Sequence, residues 1–356
     1  MNISILQKII QEINRDITID IRIMEVCGTH TQAIMQHGIS TVFNPKLRLL
    51  SGPGCPVCVT DEQDIDGIID LIYKEDVLLV TFGDMMRVPG KEETFSHVKE
   101  KGKKVKIVYS PMEAIALAES YKEEKIVFLG IGFETTAPLI AATIKTAKQK
   151  NVQNLFFYIA LKRMEPILRY ILKDPKNKPH GIICPGHVAA IKGAQYFNFI
   201  VEEYEVPAVV CGFGAEDIVM GIYCLVKQIK KEYPLKLENL YRRCVRSEGN
   251  KYANDLLLEV FTYEDSEWRG IGIVPNSGFK LKNEYEEFDA VRAFSMAIKN
   301  KVEKTLCQCS DILLGRKWPN ECPYFKNECT PLTPRGPCMV SREGACFNYY
   351  SYGGGV

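Results

Sequence analysis

The sequence predicts an α/β protein with two doubly wound parallel-sheet domains and a mixed, loop-rich C-terminal domain. Short apolar runs alternate with helical patterns between about residues 20 and 230, and this alternation is typical of parallel sheets wound with helices. The runs are apolar on both faces, as strands covered by helices on both sides are. Towards the C-terminus this periodicity gives way to prolines, glycines and cysteines.

Eight strands are predicted, which fit two sheets better than one. They lie at residues 21–26, 47–50, 77–82, 105–109, 126–131, 155–160, 181–184 and 208–211. We place a first α/β domain at 20–121, a second at 122–234 and a third domain at 235–356, with an N-terminal helix, 1–16, packed against the third. In the third domain we expect helices at 235–245, 254–261 and 284–299 and a strand at 268–274.

Composition and charge exclude several classes of function. Lys plus Arg is 45 and Asp plus Glu is 44, so the net charge is +1. A nucleic-acid partner is therefore not expected, because a phosphate-binding surface needs an excess of basic residues. No apolar run reaches the roughly 18–20 residues that span a bilayer. Residues 1–16 form an amphipathic pattern without the apolar core of a secretory signal, so we expect a cytoplasmic protein.

The chain contains 13 cysteines, and six of them lie in the 40 residues from 307 to 346. Disulfides are disfavoured in the cytoplasm, so clustered cysteines there are interpreted as metal or redox ligands. The six are Cys307, Cys309, Cys322, Cys329, Cys338 and Cys346. Their spacings are longer than the CxxC pairs of most zinc sites, and a proline-rich loop can wrap a cubane. A [4Fe–4S] cluster and a zinc ion are both considered, and the cluster is favoured.

Loops rich in Gly, Pro, Cys, His, Asp and Glu follow several predicted strands. Ligands bind at the carboxyl ends of the strands in open α/β sheets, so the coincidence predicts an active cleft between the two α/β domains. The segments are 27–30, 52–58, 83–90, 132–138, 185–187 and 212–214.

Cys55 and Cys58 form a CxxC motif that ends a Gly-Pro-Gly loop and precedes a helix. A helix N-terminus favours the thiolate. The pair is expected to form a reversible disulfide or to bind a soft metal, and the alternative is a structural turn with two buried cysteines.

Cys27 and His30 follow the first predicted strand as Cys27-Gly28-Thr29-His30. The imidazole could orient or deprotonate the thiol, or both could bind a metal. A small buried cysteine at a strand end is the alternative.

Three charged residues follow two other predicted strands. Asp84 and Arg87 could hold a small anion or pair with each other. Glu134 could line the cleft, or it could cap the helix that follows it.

These motifs resemble the HypD family of hydrogenase-maturation factors. The resemblance rests on segments 27–30, 52–58, 82–90, 132–138 and 185–188 and on the C-terminal run from Cys322 to Cys346. It covers nearly the whole chain. It implies two α/β domains and a third that carries a [4Fe–4S] cluster.

The resemblance also implies a function. Such proteins help to assemble the Fe(CN)2CO unit of [NiFe]-hydrogenases, a transient cargo, together with the small chaperone HypC and the cyanide donor HypE. Cys27, Cys55 and Cys58 would surround the cleft where iron is held or electrons pass. His30 would tune this site, and Asp84, Arg87 and Glu134 would line the cleft or bind the partner. The cluster ligands would be Cys322, Cys329, Cys338 and Cys346, with Cys309 as the substitute.

Two hypotheses share these cysteines. The first is a metallocofactor-assembly scaffold with redox activity, monomeric outside its complexes, rather than a turnover enzyme. The second is a [4Fe–4S]-dependent thiol–disulfide oxidoreductase that acts on a partner protein. They differ in whether iron occupies the cleft.

Overall fold

The computed structural model describes residues 3–296 and 307–353. The strands are β1 (Ile21–Glu25), β2 (Leu47–Ser51), β3 (Val77–Phe82), β4 (Val105–Val108), β5 (Lys125–Gly132), β6 (Leu155–Leu161), β7 (Gly181–Cys184), β8 (Ala208–Val210), β9 (Leu237–Asn239), β10 (Phe261–Trp268) and β11 (Gly272–Leu281).

The helices alternate with the strands as far as β8. They are α1 (Ile3–Asp16), α2 (Gly28–Gln36), α3 (Pro56–Val59), α4 (Glu62–Lys74), α5 (Phe95–Glu100), α6 (Glu113–Ser120), α7 (Ala137–Gln149), α8 (Met164–Leu172), α9 (Gly186–Lys192), α10 (Asn198–Glu202), α11 (Ala215–Ile229), α12 (Lys251–Val260), α13 (Ala290–Ala293), α14 (Cys309–Leu313), α15 (Pro337–Val340) and α16 (Ala345–Tyr352). Short 3-10 helices lie at Ile39–Val42, Gly83–Arg87, Ala194–Phe197, Asn283–Phe288 and Pro319–Glu321.

Two compact units share the chain, and both are discontinuous in sequence. Unit 1 comprises residues 1–55, 165–251 and 307–356, and unit 2 comprises 56–164 and 252–306. The strands predicted for the first domain therefore fall in both units, because sheet membership depends on pairing between distant segments. The assignment of residues 235–356 to a separate cluster-binding domain stays a prediction.

Unit 1 is built on a five-stranded parallel sheet in the order β2-β1-β7-β8-β9. Its core packs the aliphatic side chains of these strands against α1, α2 and α11. Lys227 on α11 is buried and holds α1 through Asp16 at 2.7 Å and Glu12 at 2.8 Å. The chain runs outward from β1 to β2 and later returns to β7, so the order reverses between β1 and β7. Loops that follow these two strands meet at this switch point.

Unit 2 is built on a four-stranded parallel sheet in the order β4-β3-β5-β6, accompanied by the antiparallel hairpin β10–β11. Phe128 and Phe157 lie at the centre of its core, and α12 and the hairpin add Leu256 and Phe279. Its switch point lies between β3 and β5, where the loops of Asp84 and Glu134 begin.

The predicted fold class is confirmed, and each predicted strand before residue 212 is present within two residues. Two predictions after that point are wrong. Residues 237–239 form the edge strand β9 rather than part of a helix, because pairing with β8 decides their conformation. Residues 268–274 end one strand and begin the next, and Gly270 and Gly272 have positive φ in the turn.

The predicted helix at 284–299 is replaced in part. Asn283–Phe288 is a 3-10 helix and Ala290–Ala293 is a short α-helix, while residues 297–299 lie outside the described residues.

Candidate metal and redox site

Cys27 lies at the switch point of the unit 1 sheet, where it is the N-cap residue of α2. The side chain is buried, with 6% of its surface exposed. Its main-chain N–H donates to Glu25 Oε2 at 2.9 Å, and its Sγ lies 3.9 Å from His187 Nδ1. The loops that follow β1 and β7 thus bring a thiol and an imidazole together.

The loop after β2 packs directly on Cys27. A Cβ built at Gly54 would lie 2.3 Å from the Cys27 main-chain N, and Gly28 N–H donates to Gly54 O at 3.3 Å. No side chain larger than that of glycine fits at position 54 without moving one of the two loops. This contact places Cys55 beside the Cys27 loop.

Burial dominates the electrostatics of Cys27. It raises the pKa of the thiol to about 12, and the nearby Glu343 carboxylate adds to the rise. The thiol is therefore protonated at neutral pH in the metal-free protein. A bound cation would reverse this preference, because a coordinated thiol is deprotonated.

The main chain of His30 hydrogen-bonds to the Cys27 thiol, but its imidazole is directed towards other groups. Its Nε2 lies 3.1 Å from Gly212 O and 3.8 Å from Cys211 Sγ. Burial lowers its pKa to about 4, so the ring is neutral at neutral pH. The imidazole beside Cys27 belongs to His187, and Phe213 lies between the two rings, with centroids 4.6 Å from His30 and 4.2 Å from His187.

Two carboxylates of this site were absent from the sequence-based candidates. Glu25 is fully buried, and this burial raises its pKa to about 7 although Thr31 donates to it. Glu343 accepts a hydrogen bond from Thr29 Oγ1 at 2.8 Å. No local pattern marked Glu25, whereas Glu343 lies within a motif that carried the family resemblance.

The CxxC cysteines lie on either side of the boundary between the units. Cys55 is buried in unit 1, with Sγ 3.4 Å from Ser341 Oγ. Cys58 is buried in unit 2, within α3.

The three charged candidates lie in unit 2. Asp84 and Arg87 are exposed on the 3-10 helix after β3. Glu134 is buried and accepts the main-chain N–H of Met164 at 3.0 and 3.2 Å. Glu134 therefore caps the N-terminus of α8, whereas the sequence suggested a cap on the helix that directly follows it.

The six C-terminal cysteines all lie in unit 1. Cys329 Sγ accepts the main-chain N–H of Arg335 at 3.4 Å and a hydrogen bond from Gly336. Burial raises the pKa of Cys329, and the neighbouring Cys307 and Cys346 add to the rise. Cys309, Cys338 and Cys346 are buried, and Cys322 is half-buried. Cys307 thus joins the neighbourhood of two predicted ligands.

Among the described residues, no group of three or more His, Cys, Asp or Glu side chains is arranged to hold a single metal ion. The chemistry of the C-terminal donors nevertheless fits an iron–sulfur cluster. Thiolates bind such clusters, and main-chain N–H groups that point at the sulfurs stabilise them. Cys329 shows this pattern. The ligand set Cys322, Cys329, Cys338 and Cys346 stays a prediction.

A cavity of about 450 Å³ lies elsewhere in unit 2. Asp64, Tyr158, Ile273 and Phe294 contribute to its lining, and none of the predicted site residues does. The strand-end cysteines, rather than this cavity, define the candidate site.

Comparison with known proteins decides the family. The family model HypD, described as "Hydrogenase formation hypA family", matches residues 4–353. The chain belongs to the HypD family. Hydrogenase maturation factor HypD of Escherichia coli (strain K12) is 41% identical over 93% of this chain and 89% of the relative. HypD1 of Bradyrhizobium diazoefficiens is 39% identical over 93% and 89%. A putative hydrogenase expression/formation protein of Methanocaldococcus jannaschii is 39% identical over 98% and 97%.

Family membership confirms the resemblance drawn from the motifs, and with it a role in hydrogenase maturation. In the described part of the chain, no helix is both long and apolar enough to cross a membrane.

Proposed function

We propose that this HypD-family protein is a scaffold and electron donor on which the Fe(CN)2CO unit of [NiFe]-hydrogenases is assembled. HypC would be its small partner and HypE the donor of cyanide. One observation carries the proposal: the buried Cys27 thiol lies beside His187 at the switch point of the unit 1 sheet. A soft thiolate suits low-spin iron that carries CO and cyanide.

His187 is the group placed to take the Cys27 proton when iron binds. Burial lowers the pKa of His187, so its ring is neutral at neutral pH and a ring nitrogen can accept a proton. Its Nδ1 is the ring nitrogen nearest the thiol, at 3.9 Å. Thr29 donates a hydrogen bond to Glu343, and Gly28 leaves the room that the Glu343 side chain needs against the same loop. The Glu343 carboxylate would supply negative charge near a bound cation.

Cys322, Cys329, Cys338 and Cys346 would hold a [4Fe–4S] cluster, with Cys309 as the substitute ligand. A cluster bound there would supply electrons one at a time. The main-chain N–H groups at Arg335 and Gly336 stabilise the charged form of Cys329. Cys55 and Cys58 would carry electrons as a dithiol–disulfide couple.

The test is a Mössbauer and infrared measurement on iron-57-enriched protein purified with HypC in the absence of oxygen. The wild type is expected to show a cubane signal, a low-spin ferrous site, and CO and cyanide bands. Cys27→Ser should lose the ferrous site and the bands but keep the cubane. Cys244→Ser is the matched control, because Cys244 is exposed, and it should keep all of these signals.

The iron site at Cys27 and the iron–sulfur cluster are tested by separate outcomes. A Cys27→Ser protein that retained the ferrous site and the bands would remove Cys27 from the iron site. Cys329→Ser should lose the cubane signal, and a wild type without any cubane would contradict the cluster. A cubane without a ferrous site in the wild type would contradict the cargo.

A further inference from the structure

Arg269 lies in the turn between β10 and β11, in unit 2, and only 2% of its side chain is exposed. Its Nη2 donates to Glu62 Oε1 at 3.0 Å and to Pro89 O at 2.8 Å. Its main-chain N–H donates to Val59 O at 3.2 Å. One buried residue therefore joins three segments that are distant from it in sequence.

These segments lie close in sequence to two candidate site residues, Cys58 and Arg87. Val59 is the last residue of α3 and follows Cys58 directly, and Glu62 is the first residue of α4. Arg269 thus holds both ends of the connection between the two helices. Pro89 lies in the loop after β3, two residues beyond Arg87.

The turn that presents Arg269 is itself firmly anchored. Trp268 is fully buried, its Nε1 donates to Ser277 Oγ at 2.8 Å, and its ring packs 6.1 Å from that of Phe133. Gly270 has a positive φ of 68°, which closes the turn. A side chain on such a rigid support can fix the position of a neighbouring segment.

We propose that Arg269 is a positioning residue that holds Cys58 in the conformation required for its dithiol–disulfide couple with Cys55. The inference rests on the proposed redox role of that pair. Loss of the Arg269 side-chain contacts releases Glu62 and the loop at Pro89 and loosens the turn whose main-chain N–H holds Val59. Cys58 then spends less time in a position where it can bond to Cys55. The effective concentration of one thiol at the other falls, and the disulfide becomes less stable.

A lysine should replace Arg269 in part. Both side-chain contacts come from the single atom Nη2, and Nε and Nη1 have no hydrogen-bond partner among the described residues. A lysine Nζ is also a single terminal donor with a positive charge. Arg269→Lys therefore keeps the chemistry of the contact, whereas Arg269→Met keeps only the bulk.

The experiment measures the disulfide equilibrium in glutathione buffers. The two thiols of Cys55 and Cys58 and one oxidised glutathione give the protein disulfide and two reduced glutathiones. The thiol protons pass to the glutathione sulfurs. Acid quenching, alkylation and mass spectrometry give the equilibrium constant. Arg269→Met should lower it about tenfold, which raises the reduction potential by about 30 mV.

The same equilibrium constant is measured for three further variants. Arg269→Lys should remain within about threefold of the wild type. Glu62→Ala, which removes one contact but leaves Arg269 in place, should lower the constant about threefold and serves if Arg269→Met fails to fold. Arg243→Met is the matched control, because Arg243 pairs with Asp217 in unit 1, and it should leave the constant unchanged.

A second measurement separates this proposal from the proposed function. The rate at which iodoacetamide alkylates Cys58 in the reduced native protein should rise about tenfold in Arg269→Met, without a rise at the buried Cys184. Equal rises at both cysteines, or wild-type values of both the rate and the equilibrium constant, would overturn the role of Arg269. A wild type that forms no Cys55–Cys58 disulfide would contradict the redox part of the proposed function, and the alkylation rates would still decide the role of Arg269.

Discussion

Glu25 and His30 should give the folded protein two opposite dependences of stability on pH. Burial raises the pKa of Glu25 from 4.5 to about 7 and lowers the pKa of His30 from 6.5 to about 4. Both residues belong to the Cys27 neighbourhood. The two shifts have the same physical origin, because burial penalises the charged form of each group.

The direction of each pH dependence of stability follows from the number of protons bound in the folded and in the unfolded state. Between pH 4.5 and about 7 the folded protein holds a proton on Glu25 that the unfolded chain has released, so this group makes stability fall as pH rises. Between about pH 4 and 6.5 the unfolded chain holds a proton on His30 that the folded protein lacks, so this group makes stability rise with pH. The windows overlap from pH 4.5 to 6.5.

Each proton is worth about 1.4 kcal/mol per pH unit, or about 3 kcal/mol over the two units of overlap. In the wild type the contributions of Glu25 and His30 cancel there. In Glu25→Gln the free energy of unfolding should rise by about 3 kcal/mol relative to the wild type between pH 4.5 and 6.5. In His30→Gln it should fall by a similar amount.

Urea denaturation of iron-free protein at each pH measures these slopes. The double variant Glu25→Gln with His30→Gln should parallel the wild type, which controls for structural damage by either change. Wild-type slopes in both single variants would refute the reasoning, because they would show that neither group changes its protonation on folding.

Three other substitutions test single contacts. Gly54→Ala should lower the free energy of unfolding by about 1–3 kcal/mol, because its Cβ would overlap the Cys27 main chain. Its control is Gly67→Ala in α4, which has room for a methyl group and should be neutral or stabilising in the same urea titration. Lys227→Met leaves the buried Asp16 carboxylate without its cation and should cost about 3–5 kcal/mol, also by urea denaturation. Glu134→Ala should lower the thermal unfolding midpoint by an amount equivalent to about 1 kcal/mol, and Glu134→Gln by less, because an amide oxygen can still accept the Met164 N–H. If one of these substitutions leaves the stability at its wild-type value, the contact that it removes does not stabilise the protein.

Eight of the nine strands of the two parallel sheets could be predicted, because buried parallel strands are largely apolar on both faces and need no partner to be recognised. Their division between the sheets could not. β3 follows β2 in the chain but pairs with β4 and β5, and nothing local in 77–82 indicates this. β9 shows the same limit, because its conformation comes from pairing with β8.

The site could be predicted to the level of loops but not of contacts. Cys27, His30 and His187 all follow strands that end at one sheet edge, so the sequence could predict that these residues lie near one another. Which imidazole faces the thiol depends on the rotation of α2 and α9 and on Phe213 between the rings. Glu25 was missed because a carboxylate in an apolar strand has no local pattern that distinguishes a buried position from an exposed one.

The CxxC motif occupies the place where the chain passes from unit 1 to unit 2. Cys55 takes its surroundings from unit 1, through Ser341, and Cys58 takes its surroundings from unit 2, where Arg269 holds the next residue. Only two residues separate the two cysteines in the chain, yet different cores set their environments. A change at Ser341 therefore acts on one thiol and a change at Arg269 on the other. In the proposed redox role, the potential of the pair would therefore respond to the packing of both units.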